Sequence, residues 1–222
     1  MSATNRTRAD GKRTERQDED TYLTPPDCAF TTAALLPLAP GMRVLEPSAG
    51  AGSYLVGLHR AHGIVAEAVE KRREAADALR GCIPGHEVLV RTCRFEDVCE
   101  PESFDAVVGN PPYIRAQEHV QHALYLLRAG GVLGFLLRIN FLATQGRYRF
   151  FRRFPPWRVY VLAERPDFTG DGGDATEYAF MAWRKGWTGD TVTRWVSWDD
   201  EVQRAEDIAR VRSLDWGSLT PT

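Results

Sequence analysis

The sequence predicts an open α/β fold: a largely parallel sheet with helices on both faces and a β-hairpin near the C-terminal end. Three observations carry this. Short apolar runs at residues 42–46, 63–70, 87–90, 104–109 and 132–137 alternate with helical patterns, as β-α repeats do. A glycine-rich turn, Pro47-Ser48-Ala49-Gly50-Ala51-Gly52, joins the first of those runs to a helix. The run at 104–109 ends in Asn110-Pro111-Pro112-Tyr113. Ligands of such sheets bind beyond the carboxyl ends of the strands, so this last stretch is placed at the mouth of a site.

Taken in order, residues 1–20 mix Arg, Lys, Asp and Glu with almost no apolar side chains and read as a disordered tail. The folded domain spans 21–187. Tyr22-Leu23-Thr24-Pro25-Pro26 opens it, with a helix starting at Pro26 or Asp27 and running through Leu36. A strand at 42–46 ends in Glu46, and a helix at 53–62 follows the glycine turn. There, glycine permits positive φ and close approach of the backbone to a ligand. The strand at 63–70 ends in Glu70. An acid at that place, about twenty residues after the glycine turn, is positioned to accept both ribose hydroxyls of an adenosine. A helix at 71–80 and a strand at 87–90 lead to Arg94-Phe95-Glu96-Asp97.

Beyond Tyr113, a helix at 116–128 shows one apolar face, with Val120, Ala123, Leu124 and Leu127. Its His119 and His122 read as surface or groove residues. The continuous apolar run at 132–137 is a central strand, and Arg138, Asn140 and Phe141 follow at its exit. Residues 146–154 alternate basic and aromatic side chains. Strands at 157–164 and 177–183 form the hairpin around a Gly- and Asp-rich loop. Residues 188–222 form a C-terminal extension with a strand-like run at 191–198 and a charged helix at 200–212.

The chain has 222 residues, 43% hydrophobic and 26% charged, which fits one soluble domain with tails. No apolar run approaches a membrane span and no signal-peptide pattern is visible, so the expected location is the cytoplasm and no membrane partner is expected. Cys28, Cys82, Cys93 and Cys99 form no CxxC pair, and no His/Cys cluster has zinc spacing, so no metal is expected. No Pro-Cys pair occurs, which argues against a covalent cysteine mechanism on a pyrimidine. Net charge is −2, but residues 119–163 hold seven arginines and no Asp or Glu. One electropositive region on a near-neutral protein suits contact with a phosphate backbone.

Each residue of Asn110-Pro111-Pro112-Tyr113 has a physical use at a site. Two prolines stiffen the loop and leave its carbonyls free to accept. Asn110 adds a side-chain carbonyl acceptor, and Tyr113 a flat face for stacking. With Glu46-Pro47-Ser48-Ala49-Gly50-Ala51-Gly52 about sixty residues earlier, the stretch resembles the amino-group methyltransferases that use S-adenosyl-L-methionine. Tyr22-Leu23-Thr24-Pro25-Pro26 resembles the N-terminal motif of the DNA adenine-N6 branch. Arg165-Pro166-Asp167-Phe168-Thr169 and Thr176-Glu177-Tyr178-Ala179-Phe180 are similar to its small phage-type members, some of which belong to restriction–modification systems.

The resemblance implies a Rossmann-like class I fold with a mostly parallel seven-stranded sheet and one antiparallel hairpin strand. It implies S-adenosyl-L-methionine as cofactor, S-adenosyl-L-homocysteine as product, and DNA as substrate through a flipped adenine. Asn110, Pro111, Pro112 and Tyr113 would be catalytic. Tyr22, Thr24, Pro25, Glu46, Pro47, Ser48, Gly50, Gly52, Glu70, Phe95 and Asp97 would line the cofactor site. Arg138, Asn140, Phe141 and Arg147 would touch the substrate. The sequence departs from the family at Arg94, where an Asp before the Phe usually holds the cofactor's adenine amino group; Asp97 or Glu96 would substitute. RNA, a glutamine side chain of a release-factor protein, and a non-catalytic binding module remain open alternatives. Only about 35 residues follow the domain, so a relaxed or short recognition site, a homodimer or a separate specificity partner is expected.

Overall fold

The computed structural model describes residues 23–168 and 176–213. The charged stretch 1–20, Tyr22 and the centre of the Gly/Asp-rich loop lie outside the described residues. Strands β1 (Val44–Glu46), β2 (Glu67–Val69), β3 (Val90–Arg91), β4 (Phe104–Gly109) and β5 (Leu127–Arg138) alternate with helices α1 (Pro26–Ala34), α2 (Ser53–His62), α3 (Arg73–Leu79) and α4 (Ala116–Leu126). Helix α5 (Tyr148–Arg153), strands β6 (Arg158–Leu162), β7 (Tyr178–Arg184) and β8 (Val192–Val196), and helix α6 (Glu201–Arg212) complete the chain.

The strands form one mixed sheet in the order β3-β2-β1-β4-β5-β7-β6-β8. Seven run in one direction, and β7 alone is antiparallel to its neighbours β5 and β6. The expected single antiparallel strand is present, but the sheet has eight strands and not seven. The eighth is β8, which the sequence shows as a strand-like run outside the domain. It pairs in parallel with β6, Arg158 opposite Val192 through Leu162 opposite Val196, and so joins the sheet at its edge.

Alternation along each strand divides the core into two clusters, one per face of the sheet. On β5, Val132 and Leu136 face one side and Leu133, Phe135 and Leu137 the other. The first face is covered by α1, α2 and α3, with Val211 of α6; the second is covered by α4 and by Phe150 of α5. Helices α1 and α2 approach closely because Gly57 has no side chain. A Cβ there would lie 2.9 Å from the backbone carbon of Ala29. That contact seats α1, which Thr24 and Pro25 directly precede, against α2.

Strands β1 and β4 are neighbours, with β2 and β3 to one side and β5 to the other. The chain direction across the sheet therefore reverses between β1 and β4. In open α/β sheets the crevice at this reversal is where ligands sit. Glu46 closes β1 there, and Asn110 follows β4 directly.

Candidate active site

Construction of the site starts with glycine. Gly109 ends β4, and a Cβ on it would fall 2.2 Å from Glu46 Oε1. The Glu46 carboxyl thus lies across the backbone of Gly109, immediately before the Asn-Pro-Pro-Tyr loop. Glu46 is 1% exposed. Its Oε1 accepts from the backbone N–H of Ser48 at 3.2 Å, and its Oε2 is buried with no hydrogen-bond partner among the described residues. Burial raises its pKa well above the ordinary carboxylate range. The Ser48 N–H opposes that shift, and the negative charge of Glu70 adds to it.

Asn110 donates from Nδ2 to Thr24 Oγ1 at 3.1 Å, which ties the loop to the residue just ahead of α1. Its Oδ1 is buried and finds no partner among the described residues. Thr24, Glu46, Ser48, Gly50, Tyr54 and Asn110 share one crevice. Tyr54, on α2, is buried with its hydroxyl 2.9 Å from Thr32 Oγ1. Glu46 and Asn110, each carrying one buried oxygen without a partner among the described residues, thus line the same crevice. Such atoms are rare in folded proteins and call for an explanation.

The glycine turn is built as its sequence requires. Gly50 and Gly52 have φ of 55° and 87°, in the left-handed region that favours glycine. The Gly50 N–H donates to Glu70 Oε2 at 3.1 Å, so the acid closing β2 holds the turn above β1. Glu70 Oε1 also accepts from the backbone N–H and the Nε of Arg72, both at 2.9 Å. Burial alone would raise the Glu70 pKa. The hydrogen bonds and charge of Arg72, with the Gly50 N–H, outweigh it and hold the carboxyl below its usual value. A ribose would have to share this carboxylate with Arg72.

Tyr113 begins a short 3-10 turn, Tyr113–Arg115. Its ring packs against Tyr178 with centroids 5.7 Å apart, and the Arg138 guanidinium carbon stands 5.1 Å from its centroid. Tyr178 in turn meets Phe168 edge-on at 5.0 Å. Arg138 and Tyr113 are thus brought together at the carboxyl ends of β5 and β4. Asn140 is exposed on the same rim.

Several expected site residues are used elsewhere. Phe95 is 3% exposed and lies between His119 and His122, at centroid distances of 5.2 and 4.7 Å, under α4. Its ring is not open to a cofactor. The two histidines are correspondingly not groove residues. His119 is buried, and burial pushes its pKa down to about 4, while His122 Nε2 lies 3.0 Å from the Val98 carbonyl. Asp97 accepts from the Arg94 N–H at 3.3 Å and so caps its own turn, and Glu96 is ion-paired with Arg115. Asp97 is exposed, and Glu96 is half-buried. Phe141 is 4% exposed, packed edge-on against Phe150, Phe151 and Trp183, and does not reach the rim. Arg147 donates to the Phe141 carbonyl at 3.0 Å and stacks over its ring, so it braces the exit of β5.

Gly109 and Tyr54 are the contributors that sequence reading missed. A glycine directly before Asn110 was the available signal for the first; nothing marks the second among the apolar positions of α2. A larger cavity of about 330 Å³, lined by Tyr125, Phe154, Trp183 and Lys185 among others, lies at the far end of β7 and holds none of the expected site residues. Among the described residues there is no cluster of three potential metal ligands, and no helix is long and apolar enough to cross a membrane.

No family model matches the sequence, and a search of curated proteins finds no match. Solved structures do match. A protein from Agrobacterium tumefaciens, described as a predicted O-methyltransferase, is 18% identical with a TM-score of 0.62, covering 84% of this chain and 97% of that one. The M protein of the EcoKI type I restriction enzyme is 14% identical at a TM-score of 0.63, covering 79% of this chain and 48% of the other. A tRNA methyltransferase from Aquifex aeolicus is 21% identical at 0.55, covering 76% and 72%. At these identities the likeness speaks to architecture, and the chain has the Rossmann-like fold of S-adenosylmethionine-dependent methyltransferases.

Proposed function

We propose that the protein transfers a methyl group from S-adenosyl-L-methionine to the exocyclic N6 amino group of an adenine in DNA. The observation that carries this reading is that Glu46 and Asn110, each with a buried oxygen unsatisfied among the described residues (Oε2 and Oδ1), line one crevice at the sheet's reversal point. A carboxyl and an amide carbonyl suit a cofactor that carries positive charge and a substrate that carries an N–H. The restriction-enzyme M protein among the structural neighbours supports DNA as the substrate.

The cofactor supplies an electrophilic methyl carbon and leaves as S-adenosyl-L-homocysteine. The chain's own residues do the rest. Glu46, with Ser48, Gly50 and Gly52 of the glycine turn and Thr24 and Pro25 across the crevice, holds the cofactor, and Glu70 takes its ribose hydroxyls. Cationic charge beside Glu46 favours the carboxylate over the protonated form, so binding drives a proton off. Asn110 Oδ1 and the Pro111 carbonyl accept the two N–H bonds of the amine, whose lone pair is otherwise delocalised into the ring. Holding both N–H bonds turns the nitrogen toward tetrahedral geometry and directs its lone pair at the methyl carbon; the new N–C bond forms as the C–S bond breaks, and the methylated nitrogen then loses one of its two protons to solvent. Pro112 keeps the loop stiff, and Tyr113 receives the flipped base on its ring, where the Arg138 guanidinium now stands.

The test is transfer of labelled methyl to unmethylated duplex DNA, structured RNA and a protein extract, beside an Asn110→Ala control, with the product digested and identified by mass spectrometry. N6-methyladenine from DNA, lost in the variant, is the expected result. Label in RNA or on glutamine would move the substrate and keep the chemistry. No transfer, with cofactor still bound in calorimetry, would leave a binding module.

A further inference from the structure

We propose that Ile114 is a wedge that enters the base stack of duplex DNA beside the nucleotide presented to Asn110; the proposal rests on the DNA reading above. Ile114 is 80% exposed, directly after Tyr113. In a 3-10 turn successive side chains point in three directions. Tyr113 is turned inward against Tyr178, and Arg115 is tied back by its ion pair with Glu96 and by its N–H to the Pro112 carbonyl at 3.1 Å. Ala116, which starts α4, is buried. The residues on both sides are anchored, and the stiff β-branched side chain between them is driven outward.

A single exposed apolar residue needs no explanation. The surroundings of this one do. Leu142, 37% exposed, and Tyr148, 62% exposed, follow the carboxyl end of the neighbouring strand β5, as Ile114 follows that of β4. Leu23, 52% exposed, precedes Thr24 at the mouth of the crevice. The segment that supplies Leu142 and Tyr148 also carries Arg138, Arg149 and Arg152, and has no Asp or Glu between 119 and 163. Arg149 is exposed and has no acidic partner among the described residues. An apolar projection set among cations matches a partner that is anionic outside and apolar between its layers. A nucleic-acid duplex has that chemistry, and apolar side chains are known to enter its base steps. Extruding a base leaves a gap in the stack, and a wedge that fills the gap holds the base out.

The test uses the methylated position mapped from the unsubstituted protein's product, placed in two oligonucleotide duplexes. In one the target adenine is paired; in the other it faces an abasic site and needs no wedge. Ile114→Ala should lose about tenfold or more in kcat/KM on the paired duplex and stay within about twofold on the abasic one, with Ile114→Leu restoring most of the loss. The side chain is exposed, so the melting temperature should not move. Equal losses on the two duplexes, or none on either, would overturn the wedge and leave the DNA reading standing. Absence of DNA methylation by the unsubstituted protein would overturn that reading and the wedge with it.

Discussion

At the scale of single residues, Glu46 is the most informative, because its burial opposes the charge the site needs. Its folded pKa lies well above 4.5, so the stability it contributes is complete below that value and declines as pH rises toward the folded pKa. Glu46→Gln should therefore melt at least as high as the unsubstituted protein at pH 8, and its advantage should shrink toward pH 4. The same variant should lose cofactor binding in calorimetry, since an amide cannot answer a cation. A variant that binds normally would remove Glu46 from the site. Glu70 has the opposite sign: its depressed pKa gives stability above about 4.5 that is lost as the solution is made more acid. Gly109→Ala tests the geometry directly. The added methyl meets the Glu46 carboxylate, so it should cost about 1–3 kcal/mol in denaturant unfolding and disturb cofactor binding together. The positions of Glu46, Gly50, Gly52 and Asn110 around one turn and one crevice were legible because turn glycines and strand-end polar residues mark themselves in sequence. The burial of Phe95 and Phe141 was not. Whether an aromatic ring faces a ligand or a helix depends on what packs over it, here His119 and His122 for Phe95 and α5 with Trp183 for Phe141.

At the scale of elements, position matters more than pattern. The strands and helices up to β5 were readable from periodicity, to within a few residues at their ends. Strand β8 was visible as an extended run, but its pairing with β6 was not. Its side chains are mostly exposed, so no apolar alternation announces a face, and its partner is distant in sequence. Helix α6 then returns to the body of the molecule. Arg212 donates to the carbonyls of Ala34 and Ala61, and Arg204 stands 3.5 Å from Asp27 at the start of α1. Helix α1 is consequently held from two sides, by α2 through Gly57 and by α6. Gly57→Val should drive α1 off α2 at a cost of about 1–3 kcal/mol. Because α1 follows Thr24, the hydrogen bond that orients Asn110 should suffer too. The expected result is a lower melting temperature and weaker cofactor binding from a substitution remote from the crevice. A loss of stability with cofactor affinity unchanged would mean that α1 does not position the site.

At the scale of the whole molecule, charge is sorted along the strand direction. Arg43, Glu67, Arg91 and Glu100 close a ring of ion pairs beside the start of β1. There the charges satisfy one another and offer little to a partner. Arg128, at the start of β5, is likewise paired there with Asp105 at 2.5 Å. In the segment that follows the carboxyl end of β5 the cations are less matched: Arg147 is fixed on Phe141, but Arg149 and Arg152 are exposed on α5. A net charge of −2 conceals this asymmetry. If the rim meets a phosphate backbone, affinity for duplex DNA should fall linearly with the logarithm of salt concentration. Removing Arg149 or Arg152 should then lower the magnitude of that slope by about 1 each, since each phosphate contact releases close to one counterion. The losses should be similar across unrelated sequences, because phosphates position the protein without specifying a base. Lys185→Ala is the control. Lys185 is bound to Glu102 and to the Leu127 carbonyl near the amino ends of the strands, so its removal should leave the slope unchanged. A slope insensitive to both arginines, or equally sensitive to Lys185, would place the nucleic-acid contact on another surface and sever the link between the basic segment and the crevice at Asn110.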